Sequence, residues 1–118
     1  MIEVCAVADL PEGEGVRFES IDLEAPIAVF NVAGDFYAID DTCTHQDASL
    51  ADGWLEGCEV ECPLHASRFD LHTGAVDAPP AKRPIRTHAV SVVDDTVYVT
   101  MSSESPNLPP GVVPGSVA

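Results

Sequence analysis

Two short segments of the chain each pair a cysteine with a histidine. The first reads C-T-H at positions 43–45, the second reads C-P-L-H at positions 62–65, and 16 residues lie between them. Thiolate sulfur and imidazole nitrogen are good ligands for zinc and for iron–sulfur clusters. If the two loops lie side by side at one end of a sheet, all four side chains can reach one metal centre. The predicted ligands are Cys43, His45, Cys62 and His65.

The order of the ligands bears on which metal they hold. Structural zinc sites with two cysteines and two histidines usually pair like with like, as C-x(2 to 4)-C followed by H-x(3 to 5)-H. Here each loop mixes the two types, and a single residue separates Cys43 from His45. Zinc is the simpler interpretation, but the mixed order favours a centre of two irons that are ligated differently.

The elements around these loops are predicted to be short β-strands. Runs rich in Val, Ile and Phe alternate with Gly, Pro and Asp, and no stretch of twelve residues has a clear helical period. This pattern predicts an all-β fold of small antiparallel sheets. We expect hairpin turns at 33–35 and 94–95, and at most one helical turn, at 47–51, in the long polar loop 41–54. The expected strands are 2–8, 15–20, 27–32, 36–40, 59–62, 68–71, 75–77, 85–93 and 96–100.

The complete pattern C-x-H-x(16)-C-P-L-H resembles the signature of Rieske iron–sulfur proteins. From position 27 to 100 the order of features is similar to that of the Rieske ferredoxins serving bacterial aromatic-ring dioxygenases. It includes F-D at 69–70, T-G at 73–74 and P-P at 79–80. The likeness covers most of the chain, and the motif is highly specific.

The resemblance implies a fold, a cofactor and a set of ligands. The fold is a Rieske domain over residues 1–101, with a cluster-binding subdomain of about 41–84 inserted in a β-sandwich-like base and a Pro/Ser-rich tail over 102–118. The cofactor is one Rieske 2Fe-2S cluster, covered by the loop at 79–80. By the resemblance, Cys43 and Cys62 hold the inner iron, and His45 and His65 hold the outer iron near solvent.

The resemblance also implies a function. The chain is expected to carry single electrons from an NAD(P)H-dependent flavin reductase to a terminal ring-hydroxylating oxygenase in aromatic hydrocarbon catabolism. It is not expected to be an enzyme, because a mononuclear iron site needs further ligands and only His72 and His88 remain. Two alternatives stay open: a Rieske-like small subunit of another oxidoreductase, such as assimilatory nitrite reductase, and a zinc-stabilised interaction domain.

The charge of the chain limits its partners. It has 118 residues with 20 Asp and Glu against 5 Lys and Arg, a formal charge of −15. Nucleic acid and anionic membrane are therefore poor partners. Fifteen of the acids fall in residues 1–61, whereas Lys82, Arg83 and Arg86 flank the proline loop, so we expect the cluster tip to be less negative than the body. No signal peptide or membrane span is visible, which predicts a cytoplasmic protein, expected to be a monomer with transient partners.

Five further residues are expected to be structural. Cys5 and Cys58 are predicted to be small core residues, with a disulfide between them left open. His72 and His88 lack a cysteine at ligand spacing and are expected to be surface or hydrogen-bonded histidines. Trp54 is expected to pack beneath the long ligand loop.

Overall fold

The computed structural model describes residues 1–64, 67–77, 79, 81 and 83–112. Within them nine strands and two 3₁₀ turns (Val7–Asp9 and Leu50–Asp52) form the regular structure, without an α-helix. The predicted all-β class is confirmed. None of the described residues forms a helix of the length and apolarity needed to cross a membrane. The strands are β1 (Ile2–Ala6), β2 (Gly15–Phe18), β3 (Ile27–Val32), β4 (Asp35–Asp40), β5 (Trp54–Glu56), β6 (Glu59–Glu61), β7 (Arg68–Asp70), β8 (Thr87–Val93) and β9 (Thr96–Thr100).

Two antiparallel sheets divide these strands. The larger, called the base sheet here, has the order β1-β9-β8-β4-β3-β2, and the smaller has the order β5-β6-β7. The two halves of the base sheet are joined through β4 and β8 by only two residue pairs, Ala38 with His88 and Ile39 with Thr87. The small sheet lies between β4 and β8 in the sequence, so both ligand motifs are carried by the chain that leaves and re-enters the base sheet.

Two hairpins of the base sheet form where the sequence predicts them. Ala33 and Gly34 have positive φ angles of 52° and 93° and connect β3 to β4. Asp94 and Asp95, at 50° and 61°, connect β8 to β9. Positive φ at both central residues suits the twist of a two-residue hairpin, and Gly, Asn and Asp adopt it at least cost.

Two hydrophobic cores share the adjacent strands β3 and β4. Alternation along β3 sends Ile27 and Val29 to one core and Ala28 and Phe30 to the other, so this strand is buried on both faces. The base core consists of Leu10, Leu23, Ile27, Val29, Ala38, Val97 and Val99. The ligand-side core consists of Ala28, Phe30, Ile39, Cys43, Ala48, Leu50, Val60, Cys62, Phe69, Leu71, Ala81 and Ile85.

The small sheet is where the strand prediction fails. Strand β5 was not predicted, and the strand expected at 75–77 is reduced to an isolated bridge between Val76 and Phe69. The expectation for Trp54 is also wrong: its side chain is 60% exposed. Alternation along β5 turns Leu55 toward the ligand-side core and therefore Trp54 toward solvent.

Candidate metal centre

The two cysteines of the motifs meet inside the ligand-side core. Cys43 and Cys62 are each 1% exposed, and their side chains lie within hydrogen-bonding contact of each other. His45, two residues beyond Cys43, is half-buried. His65 lies outside the described residues. The structure therefore brings together the two predicted sulfur ligands, with one predicted imidazole close by in the chain.

The Cys43 thiol is surrounded by opposing influences. Burial raises its pKa most, because a thiolate loses hydration there, and the neighbouring Cys62 side chain raises it further. Against this, the backbone N–H groups of His45 and Gln46 donate to the sulfur and lower its pKa. Donors directed at a buried sulfur stabilise negative charge on it, which is what a thiolate ligand of a metal requires.

The first ligand loop is closed by its own backbone. The Cys43 N–H donates to the Ala48 carbonyl at 3.0 Å, and Thr42 and Ser49 form an isolated β-bridge. Inside this closed turn, the Ala48 N–H donates to the Gln46 carbonyl at 2.8 Å. The loop that carries Cys43 and His45 is therefore folded back on itself, although it contains no strand.

Asp41 holds both ends of that loop. Its Oδ1 accepts the Ser49 hydroxyl and the Ala51 N–H, each at 2.9 Å, and its Oδ2 accepts Arg17 Nε at 3.0 Å. Burial raises the pKa of the Asp41 carboxyl, whereas the bonds from Ala51, Ser49 and Arg17 lower it. Reasoning from the sequence did not identify this role, and the available signal was an acid directly between a buried strand and a predicted ligand.

A joining segment, here Ala81 together with residues 83–86, connects to both ligand loops. The Ala81 N–H donates to Ser67 Oγ at 2.9 Å, and Ser67 in turn accepts the Cys62 N–H on its carbonyl at 2.7 Å. The hydroxyl of Thr44, between the first two ligands, donates to the Arg83 carbonyl at 2.8 Å. Of the predicted covering loop, Pro79 is exposed and Pro80 lies outside the described residues.

A buried ionic network lies where β4 and β8 meet. Arg86 is 4% exposed and donates from Nε and Nη2 to Asp40 at 3.1 Å. Its Nη1 donates to Glu24 Oε1 at 2.6 Å and to the Glu104 carbonyl at 2.7 Å. The expectation that Arg86 supplies positive charge at the tip is therefore wrong, because this side chain neutralises a buried carboxylate. Asp40 and Arg86 are 46 positions apart in the sequence, so no local sequence pattern predicts this ion pair.

His88 completes this network. Its Nε2 lies 2.8 Å from Asp40 Oδ1, and its Nδ1 accepts the backbone N–H of Ser102 at 2.9 Å. An Nδ1 that accepts carries no proton, so this hydrogen-bond pattern assigns the neutral tautomer in which Nε2 donates to Asp40. The expectation of a hydrogen-bonded structural histidine is confirmed for His88.

The other thiols and His72 also have structural positions. All four cysteines are free, so Cys5 and Cys58 form no disulfide. Cys5 packs half-buried against the base core and Cys58 against the ligand-side core, as expected. His72 is exposed, with its ring 4.7 Å from that of Tyr37, centroid to centroid.

Comparison with known proteins supplies the context for this site. A model of the Rieske [2Fe-2S] domain matches residues 1–92. The ferredoxin subunit of 3-phenylpropionate/cinnamic acid dioxygenase from Escherichia coli (strain K12) is 45% identical over 106 residues, which cover 89% of this chain and 97% of that protein.

Solved structures agree with that match. A chain in the complex of reduced oxygenase and oxidized ferredoxin in carbazole 1,9a-dioxygenase has a TM-score of 0.80 at 39% identity, covering 84% of this chain and all of the other. The Sphingomonas yanoikuyae B1 ferredoxin has a TM-score of 0.80 at 37% identity, covering 86% and 98% of the two chains. A nitrite reductase small subunit from Mycobacterium tuberculosis, at 19% identity, shares the fold alone.

Proposed function

The chain belongs to the Rieske [2Fe-2S] domain family, and from that premise we propose that it is the ferredoxin component of an aromatic-ring dioxygenase system. In this role it takes one electron at a time from a flavin-containing, NAD(P)H-dependent reductase and passes it to a terminal oxygenase. The single observation that supports this proposal best is the pair of buried, adjacent thiols of Cys43 and Cys62, in a chain 45% identical to such a ferredoxin over nearly its full length.

The comparisons confirm four predictions made from the sequence. These are the resemblance to Rieske ferredoxins, the Rieske fold, one Rieske 2Fe-2S cluster as cofactor, and a role as an electron-transfer component rather than an enzyme. The nitrite reductase alternative is weaker, because its support is limited to a shared fold.

The donor set fits such a cluster, and we assign its ligands as a proposal. Cys43 and Cys62 would hold one iron and His45 and His65 the other, so that two thiolates and two neutral imidazoles leave the oxidised centre without net charge. When bound, the cluster supplies reversible one-electron transfer, in a potential range of about −150 to +300 mV for this ligand type. The residues of this chain provide the rest: the amides of His45 and Gln46 stabilise the Cys43 thiolate, and Asp41 fixes the loop that presents His45.

Spectroscopy of the purified protein tests the proposal. We expect Rieske-type visible absorption, a low-temperature EPR signal on reduction, and two irons with two acid-labile sulfides per chain. The variants His45→Ala and His65→Ala should each lose the cluster rather than merely transfer electrons more slowly, with His72→Ala as the matched control that keeps it. A colourless protein that contains zinc and no labile sulfide would refute the proposal, and an intact Rieske spectrum in both ligand variants would refute the ligand assignment.

The acidic surface supports a transient, charge-steered encounter with these partners. The formal charge is −15, and the guanidinium groups of Arg17 and Arg86 are both engaged in ion pairs with carboxylates of the chain itself. Long-range attraction to a basic partner surface speeds association and is screened by salt. We expect the second-order rate of electron transfer to fall as ionic strength rises, and a rate independent of salt would contradict this.

The oligomeric state and the cellular location of the chain are also part of the proposal. A monomeric carrier in the cytoplasm suits contacts of the small, rapidly exchanging kind seen in electron transfer. Reconstitution with a reductase and an oxygenase of an aromatic dioxygenase system tests it directly. Substrate hydroxylation should require this chain, and it should stop when the cluster is removed.

A further inference from the structure

The described residues that follow β9 run along the joining segment and the start of β8. Residues 102–112, called the C-terminal strap here, contain no strand or helix, yet Pro109 is buried. The strap begins after the last strand and beyond residue 92, where the match to the family model ends. Something other than sheet pairing must therefore hold it in place.

Four hydrogen bonds join the strap to residues 83–88, which are the end of the joining segment and the first two residues of β8. The Ser102 N–H donates to His88 Nδ1 at 2.9 Å, and the Glu104 carbonyl accepts Arg86 Nη1 at 2.7 Å. Farther along, Asn107 Nδ2 donates to the Pro84 carbonyl at 3.0 Å, and the Leu108 carbonyl accepts Arg83 Nη2. Successive positions along the strap bond to positions progressively earlier in residues 83–88. The two segments therefore run antiparallel, although they form no β-ladder.

The same segment also contacts both ligand loops. The Arg83 carbonyl accepts the Thr44 hydroxyl, and the Ala81 N–H donates to Ser67. The joining segment is thus hydrogen-bonded both to the ligand loops and to the strap. Among the described residues, two main-chain hydrogen bonds connect its backbone to other segments: the Ile85 N–H donates to the Gly74 carbonyl at 2.8 Å, and the Asp40 N–H donates to the Arg86 carbonyl at 2.9 Å.

We propose that the C-terminal strap is a positioning element of the metal centre: it presses the joining segment onto the ligand loops and so limits access of water to the cluster. Asn107 is the positioning residue best isolated for a test, because its side-chain amide contacts Pro84 and lies outside the ionic network. The presence of a cluster in this inference rests on the proposed function, whereas the contacts of the strap are observed independently of that function.

The consequence for the cluster follows from charge. Reduction adds a negative charge to a centre that is neutral when oxidised, and water stabilises the charged form. Loosening the joining segment should therefore shift the midpoint potential to a more positive value and admit chelators faster. A strap that contributed only to overall stability would lower the unfolding midpoint without moving the potential of the folded protein.

Two truncations and two point variants of the cluster-loaded protein test the proposal. A chain of residues 1–101 lacks the strap, and a chain of residues 1–112 keeps it. Asn107→Ala removes the bond to Pro84, and Ser105→Ala, an exposed neighbour on the same segment, is its matched control. The measurements are the midpoint potential, the rate of loss of visible absorption in chelator, and hydrogen exchange of the Ala81 amide.

In Asn107→Ala we expect two rates to rise about fivefold: the loss of the cluster to chelator and the hydrogen exchange of the Ala81 amide. Fivefold is the factor by which one net hydrogen bond changes an opening equilibrium. The 1–101 chain should show larger changes and a more positive potential, whereas 1–112 and Ser105→Ala should match the full chain. Equal potentials, chelation rates and Ala81 exchange in Asn107→Ala and Ser105→Ala would overturn the inference, even if the 1–101 chain fails to fold. A full chain without a Rieske signal would instead refute the proposed function, and Ala81 exchange would still decide the role of the strap.

Discussion

Two halves of the molecule, the base sheet and the ligand-bearing region of residues 41–86, differ in what fixes their backbone. In the base sheet, backbone ladders run from β1 through β9 to β2, and the core beneath them is apolar. In the ligand-bearing region the strands have three residues each, and side chains such as Asp41, Thr44 and Ser67 supplement the few main-chain bonds that close the loops. A ladder repeats the same kind of bond along two strands, whereas these side chains form bonds specific to their positions.

This difference indicates which half depends more on individual contacts. The base sheet can lose one contact and keep its strand register, because the alternation of buried and exposed side chains along each strand and two hairpin turns all specify the same register. The ligand loops need their individual polar contacts, because Cys43 and Cys62 must be buried and adjacent while still receiving N–H donors. We therefore expect changes in the two halves to have separable effects.

Removal of the metal centre should give the largest difference in hydrogen exchange between the two halves. In Cys43→Ser or Cys62→Ser the cluster is expected to be absent, and the ligand loops lose the stabilisation that a bound group gives, about 2.7 kcal/mol at a hundredfold excess over its Kd. Hydrogen exchange should become roughly a hundredfold faster for loop amides such as Ala81, while Val97 and Val99 in the base stay protected. Cys5→Ser is the control that keeps the cluster, and equal loss of protection in both halves would show that they unfold as one unit.

The ionic network at the β4–β8 junction should have a large effect on the stability of the whole fold. Asp40 is 1% exposed and faces Arg86 and His88. Breaking a buried ion pair costs about 3 to 5 kcal/mol, and because Glu24 remains paired with Arg86 we expect the lower end of this range. Asp40→Ala should lower the free energy of unfolding by this amount in urea titrations, and the exposed Asp22→Ala should not. Replacing both members of the ion pair, as Asp40→Leu with Arg86→Met, should recover only part of the loss, because the buried His88 Nε2 still loses its Asp40 acceptor. A double variant whose loss equals the sum of the losses in the two single variants would argue against this account.

The sequence was sufficient where signals were local. The turns at Ala33–Gly34 and Asp94–Asp95, and strands β3 and β9 to the residue, follow from turn chemistry and from runs of apolar residues. The cysteine and histidine spacing indicated the centre for the same reason, because each motif is contained in one short segment.

The rest depends on contacts between distant parts of the chain. Strand β5, W-L-E, is too short and too polar to indicate a strand, and it forms because β6 pairs with it. Arg86 looks like a surface cation until the fold brings Asp40 to it. The strap resembles a disordered tail in composition, and its order comes from acceptors and donors on residues 83–88.

Matched core truncations should show how far the two cores are independent. Leu71 in the ligand-side core and Leu10 in the base core are each 2% exposed. Leu71→Ala and Leu10→Ala should each cost about 2 to 4 kcal/mol, from lost burial and the cavity left behind. Under native conditions only Leu71→Ala should accelerate loss of the cluster to a chelator. Equal acceleration in both variants would mean that the base core also controls the site.

The smallest expected effect concerns the turn that follows β7. Asp70 Oδ1 accepts the N–H groups of His72 at 2.7 Å and Thr73 at 3.1 Å, and these bonds, chiefly that from Thr73, hold the pKa of the Asp70 carboxyl below its ordinary 3.8. A carboxyl whose pKa is lower in the folded state stabilises the fold above its unfolded pKa, and this contribution disappears as pH falls through the folded value.

Asp70→Ala should therefore lower the free energy of unfolding by about 1 kcal/mol at pH 7, with the difference from the unmodified chain shrinking as pH falls below 3.8. Urea titrations of both chains across that range measure it, with Glu3→Ala as the control that removes an equal, exposed charge from the base sheet. Because the same turn places Gly74, whose carbonyl accepts the Ile85 N–H at 2.8 Å, a small increase in Ala81 exchange should accompany the loss. A stability difference that is independent of pH would mean that the Asp70 side chain acts through its size and not through its charge.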